Sequence, residues 1–193
     1  HRGSSVQLGG DRYMGELIFS TEHGSHLYGF DHAGSDEDWY FVYEGKGRKL
    51  HQSTDGNLDV VSGDLEAFLI RAASGSHQSA EAIFSRSKVW GPGMEEKWGP
   101  MLANFRIAGE AYAKYERTIK KFCYGDFKRR RHACRLAINL WEMRVSGSGR
   151  FNPRLHPVDR TLCAGYAKVY EGDELLAQLQ DLIHPDPGFA IQD

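Results

Sequence analysis

The hydrophobic pattern of this 193-residue chain changes period once, near residue 62, and that change confines it to an α+β architecture. Before it, apolar residues come in short runs: Leu17-Ile18-Phe19 within 16–21, Trp39 to Tyr43 within 38–43, and Leu58 to Val61. Short runs of β-branched and aromatic residues, bounded by Gly, Ser and Asp, read as buried strands. The polar stretch 45–56 between them reads as a hairpin or a long loop. After the change, Leu65, Phe68, Leu69 and Ala72 recur at i, i+3, i+4 and i+7, one face of a helix. Ser62 is its expected N-cap, Asp64 and Glu66 suit its first turn, and Gly75 stops it. A short helix follows around 80–84.

Between Trp90 and Pro100 the text GPGMEEKWGP has no periodicity, which predicts a hinge or subdomain boundary. Two long helices are expected beyond it, over 101–122 and 127–145. Phe105, Tyr112, Tyr115, Ile119 and Phe122 stripe the first; Ala133, Leu136, Ala137, Leu140 and Trp141 stripe the second. Residues 146–154 read as a loop and 173–183 as a last helix. The expectation is therefore a small mixed sheet flanked by helices over 13–90, then a helical C-terminal subdomain over 98–193.

The total charge hides an asymmetry. Twenty-four Lys+Arg against 26 Asp+Glu give −2, which argues against a protein that coats polyanions indiscriminately. Residues 1–100 hold nine Lys+Arg and 15 Asp+Glu (9 − 15 = −6), while residues 101–193 hold 15 and 11 (15 − 11 = +4). Positive charge concentrates in 114–150, with 11 basic and three acidic residues (11 − 3 = +8), so a local polyanion cleft stays open to the tail. No apolar run approaches the ~18 residues of a membrane span. No secretory leader is evident, and His1-Arg2-Gly3-Ser4-Ser5 reads as a tag remnant. Cys123, Cys134 and Cys163 make no C-x-x-C pair, and the histidines lack zinc spacing, so reduced thiols in the cytoplasm are expected.

The stretch from Gly24-Ser25 to Ser35-Asp36-Glu37-Asp38 carries the chemistry. Strand alternation puts Asp36 and Asp38 on one face. Two converging carboxylates repel unless a divalent cation lies between them, and Mg²⁺ takes such oxygens together with phosphate and water. A Gly-Ser turn offers backbone N–H groups and a hydroxyl to phosphate. Asp59, in the strand LDVV, can join them if its strand pairs beside that of Asp38, with Asp55 and Asp64 as nearby rivals. Such a set suits two-metal phosphoryl transfer. Lys128, His132 and Arg135 fall at i, i+4 and i+7, sharing a helix edge that is expected to face a cleft and meet phosphate.

This ordered set resembles the nucleotidyltransferase superfamily of DNA polymerase β. More narrowly, it resembles predicted nucleotidyltransferases with a GS-x-x-YG…SD-x-D signature, among them RNA repair pathway nucleotidyltransferases. Gly24, Ser25, Tyr28, Gly29, Ser35, Asp36 and Asp38 carry the signature, and the helix from Lys128 through His132 and Arg135 is similar to the family's K-x-x-x-H-x-x-R-L helix. The resemblance covers roughly 17–85 and 128–142. It implies a nucleotidyltransferase-type sheet and transfer of a nucleoside monophosphate from an NTP, ATP included, with pyrophosphate released. It further implies Asp36, Asp38 and Asp59 as catalytic ligands of two Mg²⁺ ions (Mn²⁺ as an alternative), and nucleotide contacts from Gly24, Ser25, Tyr28, Ser35, Lys128, His132 and Arg135. The acceptor expected first is an RNA or DNA end. A protein or small-molecule acceptor, or a non-catalytic nucleotide- or RNA-binding module, is the alternative.

Plainer roles exist for the same residues: a solvated SDED turn, Ser25 as a helix cap, Tyr28 as a packed ring, and KRRRH as a solvated face.

Overall fold

The computed structural model describes residues 15–30, 37–47 and 49–186. Strand β1 (Leu17–His23) leads through the four-residue helix α1 (Ser25–Tyr28) towards β2 (Glu37–Tyr43), and the two strands pair antiparallel. A hairpin of β3 (Leu50–Asp55) and β4 (Leu58–Asp64) follows, with β4 laid parallel to β2. The two-residue β5 (Val89–Trp90) completes a mixed five-stranded sheet of order β3-β4-β2-β1-β5. The polar stretch 45–56 thus contains a strand after all, and it resolves as a hairpin.

Phe19, Thr21, Tyr40 and Val42 lie on one face of the sheet and are all buried. Helices α2 (Leu65–Ala73) and α3 (His77–Phe84) pack on the sheet, and Thr21 and Ser85 share a 2.6 Å hydroxyl bond that ties β1 to the end of α3. The N-cap position of α2 is Asp64, not Ser62, and its carboxylate accepts from Gly47 N–H instead of capping. Helices α5 (Tyr112–Cys123), α6 (Phe127–Ser146), α7 (Pro157–Val169) and α8 (Gly172–Ile183) form the tail. One apolar cluster runs without a break from Ile18 in β1 to Ile183 in α8.

The helix expected over 101–122 is two helices. Helix α4 (Met94–Asn104) starts inside the supposed hinge, after Gly93 in the left-handed region, with Glu95 and Glu96 in its favourable first turn. It ends where Phe105 turns extended, and Ile107, almost wholly buried, bonds its N–H to Gly149 O at 2.9 Å. Arg150 donates to the carbonyls of Leu102 and Phe105, holding the break open. Helix α6 matches its expected span, capped by Asp126, whose Oδ1 accepts from Arg129 N–H at 2.9 Å. Its stripe is buried except for Trp141, which is exposed. Helix α7 was not foreseen: its buried residues, Cys163 and Ala167, are too small to make a visible stripe. Cys123, Cys134 and Cys163 are buried free thiols, and burial pushes the Cys123 thiol up to about 11.

Candidate functional site

Strand register gathers the acidic residues. In the parallel β2–β4 pair, Asp38 stands opposite Asp59, and in the antiparallel β1–β2 pair it stands opposite His23. In-register neighbours share a face, so His23, Asp38 and Asp59 line one side at one end of the sheet, on strands about 4.8 Å apart. This is the face that carries Tyr40 and Val42 into the core, so the two aspartates sit at its mouth. Asp59 is half-buried, and its Oδ1 accepts from the Thr54 hydroxyl at 2.6 Å, which fixes the carboxylate from β3. Asp55 lies across the hairpin from Leu58 and Asp64 is buried at the far end of β4, so neither rival pairs with Asp38.

Gly24 explains itself here. Its φ is +68°, and a Cβ on it would overlap Asp38 Oδ2. Only glycine gives both the left-handed turn and the bare approach to that carboxylate. Ser25 opens α1, and Tyr28 N–H donates to Gly24 O at 3.2 Å, closing the turn. Ser35, Asp36 and the Ser25 side chain lie outside the described residues, so the expected pairing of Asp36 with Asp38 does too. Among the described residues no three His, Cys, Asp or Glu side chains gather as a metal cluster. Two hard carboxylates from adjacent strands nevertheless suit Mg²⁺, which commonly takes one or two protein carboxylates and completes its shell with phosphate and water.

Beneath this end of the sheet lies a buried ionic network. Arg135 Nη1 donates to Glu81 Oε1 at 2.5 Å, and the Tyr28 hydroxyl donates to Glu81 Oε2. The Arg135 guanidinium stacks on the Tyr28 ring, 3.6 Å from its centroid, and its Nε donates to His132 Nδ1 at 3.3 Å. Burial works against the charge on Arg135, but Glu81 and the Tyr28 oxygen outweigh it and leave the pKa raised. His132 is driven down to about 2, first by burial and then by Arg135, Arg131 and Lys128. The imidazole is therefore neutral and accepts a hydrogen bond rather than supplying a proton. His23 is lowered to about 4 by burial against the opposing pull of Glu81 and Asp59, and its Nε2 is buried without a partner.

The shared edge of Lys128, His132 and Arg135 is thus only partly a cleft. Lys128 is exposed on the first turn of α6, whereas Arg135 is 1% exposed and its charge is matched inside the protein. Tyr28, His132 and Arg135 do come together, around a carboxylate that sequence reasoning missed. Its signal was visible: Glu81 is the one charge in the run Ser79-Ala-Glu-Ala-Ile-Phe84. A carboxylate on an apolar helix face needs a buried cation.

No protein-family model matches this chain, and no curated protein matches its sequence significantly.

Proposed function

We propose that the chain is a divalent-metal-dependent nucleotidyltransferase that moves a nucleoside monophosphate from an NTP to an acceptor hydroxyl or phosphate, with a nucleic-acid end as first acceptor. The observation that carries this reading is the in-register pairing of Asp38 with Asp59, with Gly24 packed bare against the Asp38 carboxylate. Asp38 and Asp59, with Asp36 two residues before Asp38, would hold the Mg²⁺ ions. Bound there, the cations would neutralise phosphate charge and lower the pKa of the acceptor hydroxyl.

The remaining work falls to the chain itself. Gly24 and Ser25 would hold the β- and γ-phosphates through backbone N–H groups and the Ser25 hydroxyl. Thr54 donates to Asp59 Oδ1 and so restrains the carboxylate, whose other oxygen would serve the metal. The Glu81–Arg135 pair grips the Tyr28 ring and hydroxyl, and through Tyr28 it fixes the Gly24–Gly29 turn. Lys128 is the cation of the α6 edge left exposed for phosphate. A cytoplasmic setting belongs to the same reading, supported by the free thiols. No helix among the described residues is long and apolar enough to cross a membrane.

The test is pyrophosphate release from each NTP with Mg²⁺ and pooled RNA, DNA and protein acceptors. Asp38→Asn and Asp59→Asn should each lower the rate by at least about 100-fold while circular dichroism stays unchanged. Wild-type protein that releases no pyrophosphate with any NTP, or variants that match it, would sink the proposal.

A further inference from the structure

A cleft of about 610 Å³ opens beside Gly29, the residue after Tyr28, between that turn, the start of α6 and one face of α7. Gly29, Phe127, Arg160, Thr161, Gly165 and Lys168 line it. The α7 members recur at three- and four-residue spacing, so they form one side of that helix. Among the described residues no carboxylate lines the cleft, while Arg160 and Lys168 both do. A third cation supports its wall: Arg131 stacks on the Phe30 ring at 4.2 Å and on Phe127 at 5.6 Å.

Both guanidinium groups have an unmet donor. Arg160 Nη1 donates to Gly29 O at 2.9 Å, yet its Nε is buried without a partner, and so is Arg131 Nε. Buried N–H groups are ordinarily bonded, so the unmet Nε of Arg160, which lines the cleft, leaves that guanidinium short of acceptors, while Arg131 stands behind the lining. Phe127 is 41% exposed, an apolar ring offered to solvent, and a Cβ on Gly165 would meet nothing within 4 Å. Cations, an open aromatic face and room beside them are the requirements of single-stranded nucleic acid: phosphates on the charges, a base on the ring.

Another cavity, of about 670 Å³, lacks this character. Its Lys88 bonds the carbonyls of Ile83 and Ser85, its Arg150 those of Leu102 and Phe105, and Glu95 and Glu142 line it as well.

From this we infer that the Gly29–α7 cleft is the seat of a single-stranded nucleic-acid acceptor, held by Arg160 and Lys168 with a base on Phe127. The inference rests on the nucleotidyl-transfer reading for its purpose, but the binding itself does not. The test is fluorescence anisotropy of a short labelled RNA oligonucleotide, and of the matching DNA, with the full chain in EDTA and without NTP.

Lys168→Glu should weaken strand binding about tenfold and reduce the slope of log K against log salt by about 1. Gly165→Leu should weaken it similarly while keeping or raising the melting temperature, since leucine favours the helix more than glycine. Lys46→Glu, in the loop beyond the opposite end of β2, should change it by less than about twofold. Equal affinity for RNA and DNA assigns the contact to phosphate; an RNA preference adds the 2′-hydroxyl.

Three results would overturn the cleft: wild-type protein that binds neither strand, Lys168→Glu and Gly165→Leu that bind like wild type, or inorganic phosphate or a mononucleotide that competes as well as the strand. Asp59→Asn separates the two readings, because it should abolish pyrophosphate release and leave strand binding intact. Strand binding that responds to Lys168, in a protein that never releases pyrophosphate, supports the cleft and refutes only the transfer.

Discussion

Arg135→Met is the most informative single change to the interior. Glu81 and Arg135 are 0% and 1% exposed, and their contact is 2.5 Å. Removing the guanidinium strands a carboxylate whose other neighbour is the Tyr28 phenol, and breaking one half of a buried pair costs about 3–5 kcal/mol. Loss of the stack on Tyr28, 3.6 Å from the ring centroid, adds about 1 kcal/mol. The sum, about 4–6 kcal/mol, lowers the melting temperature by roughly 10–20 °C in a chain of this size. The double variant Glu81→Leu/Arg135→Met removes both charges at similar volume and should recover most of that loss. Its coupling energy is then about 3 kcal/mol. Urea unfolding of wild type, both single variants and the double variant measures all four corners. A cost below about 1 kcal/mol for Arg135→Met, or single costs that simply add in the double, refutes the reasoning. Either would mean that water reaches the Glu81 carboxylate.

Gly24→Ala imposes a side chain at φ +68° and drives it into Asp38 Oδ2. It should cost about 1–3 kcal/mol of stability and abolish nucleotidyl transfer, read by unfolding and by pyrophosphate release. Folding should also depend on pH in a definite direction. His23 and His132 titrate at about 4 and about 2 in the folded chain, below the ordinary 6.5, so the unfolded chain binds more protons as pH falls through 6.5. Their contribution is whole above pH 6.5 and is lost as the pH falls towards those values, so moving from pH 7 to pH 5 should cost up to about 4 kcal/mol. Urea unfolding at the two pH values checks this; equal stabilities would show that neither imidazole is held neutral.

Local patterns in this chain were readable where one physical rule acts alone. Alternation and aromatic content located β2, and the i, i+3, i+4 stripe located α2, α5 in its core and α6 almost to the residue. What Asp38 and Asp59 do together was legible only conditionally, because whether β4 lies beside β2 is a matter of long-range pairing. The breaker-rich text 90–100 misled because Gly93 starts α4 and Pro100 sits inside it; breakers mark helix ends only when nothing else shapes the segment. The direction of Arg135 was hidden for a related reason. Spacing places a residue on a helix edge, but what that edge faces depends on α3, fifty-four residues earlier, bringing Glu81 to meet it.

Asp64 has a consequence for how the site can change. At one end of β4 it receives Gly47 N–H and so fastens the turn after β2; at the other end stands Asp59. A strand alternates with period two, so sliding β4 by one residue against β2 would carry Asp59 to the opposite side of the sheet. The meeting of the two carboxylates is thus a parity property, present or absent, with no intermediate settings. Residues inserted into the turn at 45–49 leave that parity alone. One residue added to or removed from β4 between Asp59 and Asp64 inverts it, and the loss is complete although neither aspartate has been touched.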